Sequence, residues 1–279
     1  MAQLFVDDDA DLTLVQDRNV AVLGYDDQAA AQALCLRDSG VDVRVGLAAD
    51  SPLWDVAAAD GLRVVTTFEA CEEADLVVIP VASSQDASVA EAVLPNLVAG
   101  DVVVLEEAAV LAGDLPAGVD VVRLAPWASG PVVRDEYTQG RGVALFASVV
   151  VDGSGSAWDI ALAYARAIGA TRAGVIRTTD EEYSRARAVG EKTLLRGSVL
   201  PLVRTAFDSL VGSGCQPEVA YLRCVYGLKM FADELVSGGL DTELTAARAP
   251  DGTASDEDPM AAAAALVRSL MSWDRKDSS

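Results

Sequence analysis

Any acid-base work in this chain falls to carboxylates, lysine or tyrosine, because it contains no histidine. That removes every Ser-His-Asp or Cys-His nucleophile, and any imidazole that could bind a metal or shuttle protons near neutral pH. The segment with the plainest chemical meaning is Val20 to Gly40, which reads as a strand, a tight turn and a helix opening a dinucleotide-binding domain. In a G-x-G-x-x-G turn the glycines let backbone amides approach a pyrophosphate, and the helix amino terminus adds partial positive charge. Here Gly24 alone keeps its place; Asp26 and Ala29 stand at the other two glycine positions, and Asp27 adds a second carboxylate. Negative charge where a diphosphate would lie opposes anion binding.

The elements that would hold this turn are legible as alternation. Val20–Leu23, Asp42–Gly46, Arg63–Val65, Leu76–Pro80, Val102–Leu105 and Val121–Leu124 are short apolar runs suited to strands buried on both faces. Between them lie helical stretches at Gln28–Asp38, Ser51–Asp60, Thr67–Glu73 and Ala87–Leu97, and a last strand at Val143–Val151 ends in Asp152-Gly-Ser-Gly. The fold class expected is α/β: a Rossmann-like, doubly wound parallel sheet over residues 1–155. From residue 156 the period becomes helical, so residues 156–240 are expected to form an all-helical second domain. Its helices are Ala157–Ile168, with Ser156 as cap and Gly169 past the end, then Thr179–Val211, which Pro201 must kink or interrupt, then Pro217–Val236. Residues 241–279 read as an acidic linker and a short apolar helix, Met260–Trp273, docked back on the body.

Composition bounds the setting. The 279 residues are 51% hydrophobic, enough for one large core or two smaller ones. Net charge is −22, from 43 acids against 21 bases, and such a field repels nucleic acid and anionic membranes. The acids are spread along the chain, as on a hydrated surface adapted to high salt. No apolar stretch is long enough to span a bilayer and the amino terminus lacks a basic export start, so a soluble cytoplasmic protein is expected. Cys35, Cys71, Cys215 and Cys224 lack metal-type spacing and read as buried free thiols.

With the elements placed, particular stretches carry a likeness from about residue 4 to about 240. They include Phe5–Leu12, Gly24-Tyr25 with Gln28, Leu36-Arg-Asp-Ser-Gly-Val, Arg134 with Glu136-Tyr137, Gly140-Arg-Gly-Val, Ala161-Leu-Ala-Tyr-Ala, Thr171–Ile176 and Pro217-Glu-Val-Ala-Tyr. In this order they resemble the short class of ketol-acid reductoisomerase, which isomerises and reduces acetohydroxy acids in branched-chain amino-acid synthesis. The resemblance implies NADP or NAD as cofactor, two magnesium ions held by carboxylates of two helices in the second domain, and a homodimer of intertwined helices. It places cofactor contacts at Gly24, Tyr25, Gln28, Ser51, Gln85 and Gly130.

The same alignment of motifs shows what this chain lacks. The four metal carboxylates fall on Arg187, Glu191, Arg223 and Gly227, so Glu191 is the one remnant of the catalytic set. A guanidinium keeps its proton, and a dication would be repelled. The family's histidine after the fifth strand falls on Glu107, behind Glu106. Its loop lysine and histidine fall on Trp127 and Pro131, and the glutamate ahead of its Thr-Thr pair falls on Arg177. Ala48 replaces the arginine that would read a 2′-phosphate, leaving Ser51 as the remaining hydroxyl.

Several local expectations follow. Glu191 should pair with Arg187 one turn earlier. Glu106 and Glu107 should be solvated loop acids rather than a proton-transfer pair, Asp50 a solvated acid, and Trp127 a plug in the vacated substrate pocket. The leading functional expectation is a non-catalytic paralogue without bound magnesium, acting as a dimeric scaffold, ligand sensor or regulatory partner, one possible partner being a true reductoisomerase subunit. The alternatives are a metal-independent NAD(P)H reductase, with an arginine polarising the carbonyl, and the family's own reaction run by a rebuilt site.

Overall fold

The computed structural model describes residues 3–80 and 87–239. The chain divides into two compact units, Met1–Ser184 and Arg185–Ser279.

The first unit is built on one nine-stranded sheet. Its strands are β1 (Leu4–Phe5), β2 (Asn19–Leu23), β3 (Asp42–Leu47), β4 (Arg63–Thr66), β5 (Leu76–Ile79), β6 (Val102–Glu106), β7 (Asp120–Pro126), β8 (Leu145–Val151) and β9 (Val175–Arg177). They lie in the order β1-β9-β8-β7-β6-β5-β2-β3-β4, parallel from β4 to β7, with β8 antiparallel to β7 and β1 antiparallel to β9. The expected doubly wound parallel core is therefore present, and order reverses at β2, which pairs β3 on one side and β5 on the other. Such a reversal opens a crevice beyond the carboxyl ends of the strands.

Helices cover both faces because successive strand residues point opposite ways. Val20 and Val22 of β2 join Leu36, Leu162 and Tyr164 in one apolar cluster, while Ala21 and Leu23 join Val77, Ile79, Val93 and Val103 in the other. The helices are α1 (Thr13–Gln16), α2 (Asp27–Asp38), α3 (Trp54–Ala59), α4 (Thr67–Glu72), α5 (Ala87–Val93), α6 (Gly130–Thr138) and α7 (Ala157–Ala167). The start of α4 shows why its sequence folds there: Thr66 and Glu69 exchange side-chain and backbone bonds in a capping box.

The stretch 156–184, assigned from its helical period to the second domain, packs with the sheet instead. Eight residues of α7, from Ala157 to Ala167, are buried, and β9 completes the sheet beside β8. A three-residue strand is too short to show a period of two. Ser156 makes no side-chain cap for α7; Asp152 Oδ1 accepts the Ala157 amide instead, at 3.3 Å.

The helical chain then continues through α8 (Asp180–Arg187), a π-helical segment Ala188–Val199, α9 (Leu200–Gly212), α10 (Pro217–Tyr221), a π segment Leu222–Tyr226 and α11 (Gly227–Gly238). Pro201 interrupts it by hydrogen-bond register. The ladder changes from π to α at Val199/Leu200, directly before the proline, whose ring nitrogen has no amide hydrogen to give to the preceding turn. Among the described residues of this second unit, Ala220 alone is buried. The expected linker and terminal helix at 241–279 lie outside the described residues.

Candidate functional site

The crevice beyond β2 and β3 holds a cavity of about 320 Å³. Leu23, Gly24, Tyr25 and Asp26 line it from the first turn, Gly46, Leu47, Ala48 and Leu53 from the next, and Thr67, Ser88 and Val89 from the far side. Gly24 turns the chain at φ 99°, a conformation costly for any residue with a Cβ, and its amide bonds to the Gly46 carbonyl at 2.9 Å.

Asp26 caps α2. Its Oδ1 accepts the backbone N–H groups of Gln28 at 3.1 Å and Ala29 at 2.9 Å. These are among the first-turn amides, without helical acceptors of their own, that a phosphate would use at a helix amino terminus, so an internal carboxylate already sits in the anion's place. Asp27 follows in the first turn, exposed.

The other expected cofactor residues have mostly structural employment. Tyr25 is 6% exposed and its hydroxyl donates to Asp60 Oδ2 at 2.7 Å; burial, then the Asp60 carboxylate, pushes its pKa above the ordinary phenol value. Gln28 gives its amide to Asp26, while its side-chain Nε2 is shut from solvent with no acceptor among the described residues. Ser51 organises its own turn: its Oγ accepts the Leu53 amide at 3.3 Å, and it is not among the residues that line the cavity. Gly130 is a close-approach residue, since a Cβ there would stand 1.9 Å from the Asp27 carbonyl oxygen. Gln85 lies outside the described residues. Asp50 is an exposed acid, as expected.

Two expectations are corrected. Glu106 is no solvated loop acid: β6 runs one residue further than its apolar run suggested, and the Glu106 side chain, 2% exposed, enters the core. Gln32 Nε2 of α2 donates to its Oε1, and the Tyr164 hydroxyl of α7 donates to Gln32 Oε1 at 2.7 Å. Burial first, then the charges of Asp26 and Glu107, push the Glu106 carboxyl up to about 8, so it is neutral over most of the physiological range. A hydrogen-bonded neutral acid is tolerated where an ion would not be. Glu107, next in the chain, takes φ 41°, and the buried Arg123 donates to its carbonyl at 2.7 Å. Trp127 is the second correction. It is 74% exposed and meets Phe146 edge-on at 5.3 Å, so it is a surface aromatic and not a buried plug.

The second unit carries the positions where the resemblance placed metal ligands. Glu191 Oε2 lies 3.2 Å from Arg187 Nε and its Oε1 3.3 Å from Arg196 Nε, so the remnant carboxylate is held between two guanidinium groups. The Arg187 contact is an ion pair without good hydrogen-bond alignment, since its buried Nε lacks a well-directed acceptor. Arg223 is exposed on the π segment ahead of α11, and Gly227 opens α11 with room to spare: a Cβ there would meet only the Leu222 carbonyl oxygen, at 3.8 Å. Packing therefore does not demand a glycine where a carboxylate is expected. The donor chemistry does not fit a hard dication, which needs oxygen ligands and net negative charge. Among the described residues, no three His, Cys, Asp or Glu side chains cluster as a metal site.

Fold and crevice together define a protein of the Rossmann-type dinucleotide-binding class with a helical second unit. The comparisons narrow this. Residues 14–174 match the family description "Acetohydroxy acid isomeroreductase, NADPH-binding domain" and residues 181–272 match "Ketol-acid reductoisomerase, C-terminal domain". The chain belongs to the ketol-acid reductoisomerase family. It is 45% identical over 244 residues to the ketol-acid reductoisomerase (NADP(+)) of Renibacterium salmoninarum, covering 86% of this chain and 72% of that one. The enzyme of the same name from Kineococcus radiotolerans is also 45% identical over 244 residues, covering 86% and 71%. Among solved structures, an NADH-preferring ketol-acid reductoisomerase from an uncultured archaeon superposes with a TM-score of 0.77 at 31% identity, over 91% of this chain and 77% of that one. The second match runs to residue 272, beyond residue 240 where the sequence motifs stopped.

Proposed function

We propose that this chain is a catalytically silent member of the ketol-acid reductoisomerase family, kept as a homodimeric scaffold, ligand-sensing or regulatory protein of the cytoplasm. One observation carries the reading: at the metal-ligand positions stand Arg187, Arg223 and Gly227, and the surviving Glu191 is engaged by Arg187 and Arg196. Fixed positive charge there repels the ions on which the family's reaction depends. The capped turn at Asp26 weighs the same way against the diphosphate of NADP or NAD.

Dimerisation is supported by the second unit itself. Leu202, Leu222, Leu228, Met230 and Phe231 are all more than a third exposed, and helices that bury almost nothing among the described residues are suited to a partner surface. A second copy supplies the same faces by two-fold symmetry. A reductoisomerase subunit is the other partner this surface admits. The acid-rich exterior suits a protein of high-salt surroundings. Among the described residues, no helix is long and apolar enough to cross a membrane.

The deciding assay follows NADPH or NADH oxidation with 2-acetolactate and millimolar magnesium, at low and molar salt. No turnover above the buffer rate is expected. Magnesium-dependent turnover would establish an active enzyme with a rebuilt site, and magnesium-independent turnover a reductase.

A further inference from the structure

We infer that the crevice cavity of the first unit binds an uncharged nucleoside, not a nucleotide. The inference rests on the reading of a silent family member that still senses a ligand. Its first support is electrostatic: among the described residues lining the cavity, Asp26 is the one carboxylate and none is a lysine or arginine. The described flanking stretches 24–30, 46–56 and 87–98 likewise contain no base, and they carry Asp26, Asp27, Asp50, Asp55 and Glu91. A phosphate brought here meets like charge with no cation to offset it.

The second support is the occupied anion seat. Asp26 Oδ1 already takes the Gln28 and Ala29 amides, so a phosphate would have to dislodge it and then remain beside it. The carboxylate does for α2 what a bound phosphate does elsewhere, and its other oxygen, at the cavity lining, remains able to accept a hydroxyl. Leu53, 38% exposed, and the edges of Leu47 and Val89 offer apolar contact for a flat base, and Thr67 and Ser88 contribute hydroxyls. A volume of about 320 Å³ stands at the lower end of the ~300–1,000 Å³ range of small-ligand sites, which suits one nucleoside and not two joined nucleotides.

The test is calorimetric titration of the full chain with adenosine, AMP, NADH and NADPH at low salt. Adenosine should bind saturably, and AMP roughly a hundredfold more weakly, the scale of one close like-charge contact in partly solvated surroundings. Asp26→Asn keeps a residue able to cap α2. It should raise AMP affinity about tenfold or more and lower that of adenosine, because an amide is the weaker acceptor. AMP, NADH or NADPH binding the unaltered chain as tightly as adenosine would overturn the inference, as would no adenosine binding at millimolar concentration. Both failures are distinct from failure of the functional reading, which appears only as turnover of acetolactate.

Discussion

The two units of this chain solve opposite problems. The first buries its apolar residues on both faces of a nine-stranded sheet, and every buried described residue except Ala220 lies within it. The second is a run of helices with apolar side chains such as Leu200, Leu202 and Tyr226 more than half exposed. A unit with its own core folds by itself, whereas helices whose described residues bury almost nothing gain most from association, as the proposed dimer would supply. On the proposed reading the metal positions carry arginine and glycine, while the helices around them stay apolar.

The largest effect should come from attacking the exposed helices of the second unit. Phe231→Asp together with Leu202→Asp puts charge on faces that association would bury. Sedimentation should show the dimer giving way to a monomer, and circular dichroism a loss of helix, with the sheet unit still unfolding cooperatively. A monomeric unaltered chain that kept its full helical content would break the comparison.

The sheet unit has its own weak point in Glu106. Its carboxyl is raised from an ordinary value of 4.5 to about 8 in the folded chain, so between these values the folded state holds a proton that the unfolded state has released. Stability should therefore fall as pH rises through that window, by roughly 1.4 kcal/mol per pH unit from this group, and level off above about 8. Urea unfolding of Glu106→Gln, which keeps a side chain able to accept from Gln32, should flatten that slope. An unchanged slope would place the pH dependence elsewhere.

A smaller loss is expected at the junction of α6 and α2. Gly130→Ala forces a methyl to within 1.9 Å of the Asp27 carbonyl in the absence of movement, so overpacking should cost about 1–3 kcal/mol. A shift in the urea midpoint at constant slope measures it. No shift would mean that the two helix starts separate easily, and that the cavity beside Asp26 is softer than its lining suggests.

How much was legible in the sequence follows the same division. Runs such as Val102–Leu105 identify parallel strands because burial on both faces leaves no polar register, and six of them gave the core of the sheet. β1 and β9, of two and three residues, carry no such signal and are recruited by pairing with each other and with β8. The expectation that Arg187, Arg223 and Gly227 stand at the metal positions rests on the register that the motifs around them set. Side-chain fate was harder. Glu106 and Trp127 exchanged the places that polarity assigned them: the acid is interior because Gln32 and Tyr164 form a hydrogen-bonded chain to it, and the indole is exposed on the loop after β7. Only neighbours far apart in sequence decide such cases. The negative charge at the Asp26 turn was legible, but not that its carboxylate takes the two amides itself, although aspartate just ahead of a helix is a frequent cap.

The central claim is that fixed positive charge has replaced the metal cradle. Electron paramagnetic resonance of manganese, a spectroscopic stand-in for magnesium, tests it directly. Titrated against the full chain, the six-line signal of free manganese should stay undiminished up to millimolar protein, while Arg187→Asp, Arg223→Glu and Gly227→Glu combined should quench it. Saturable loss of that signal with the unaltered chain, at two ions per chain, would contradict the account.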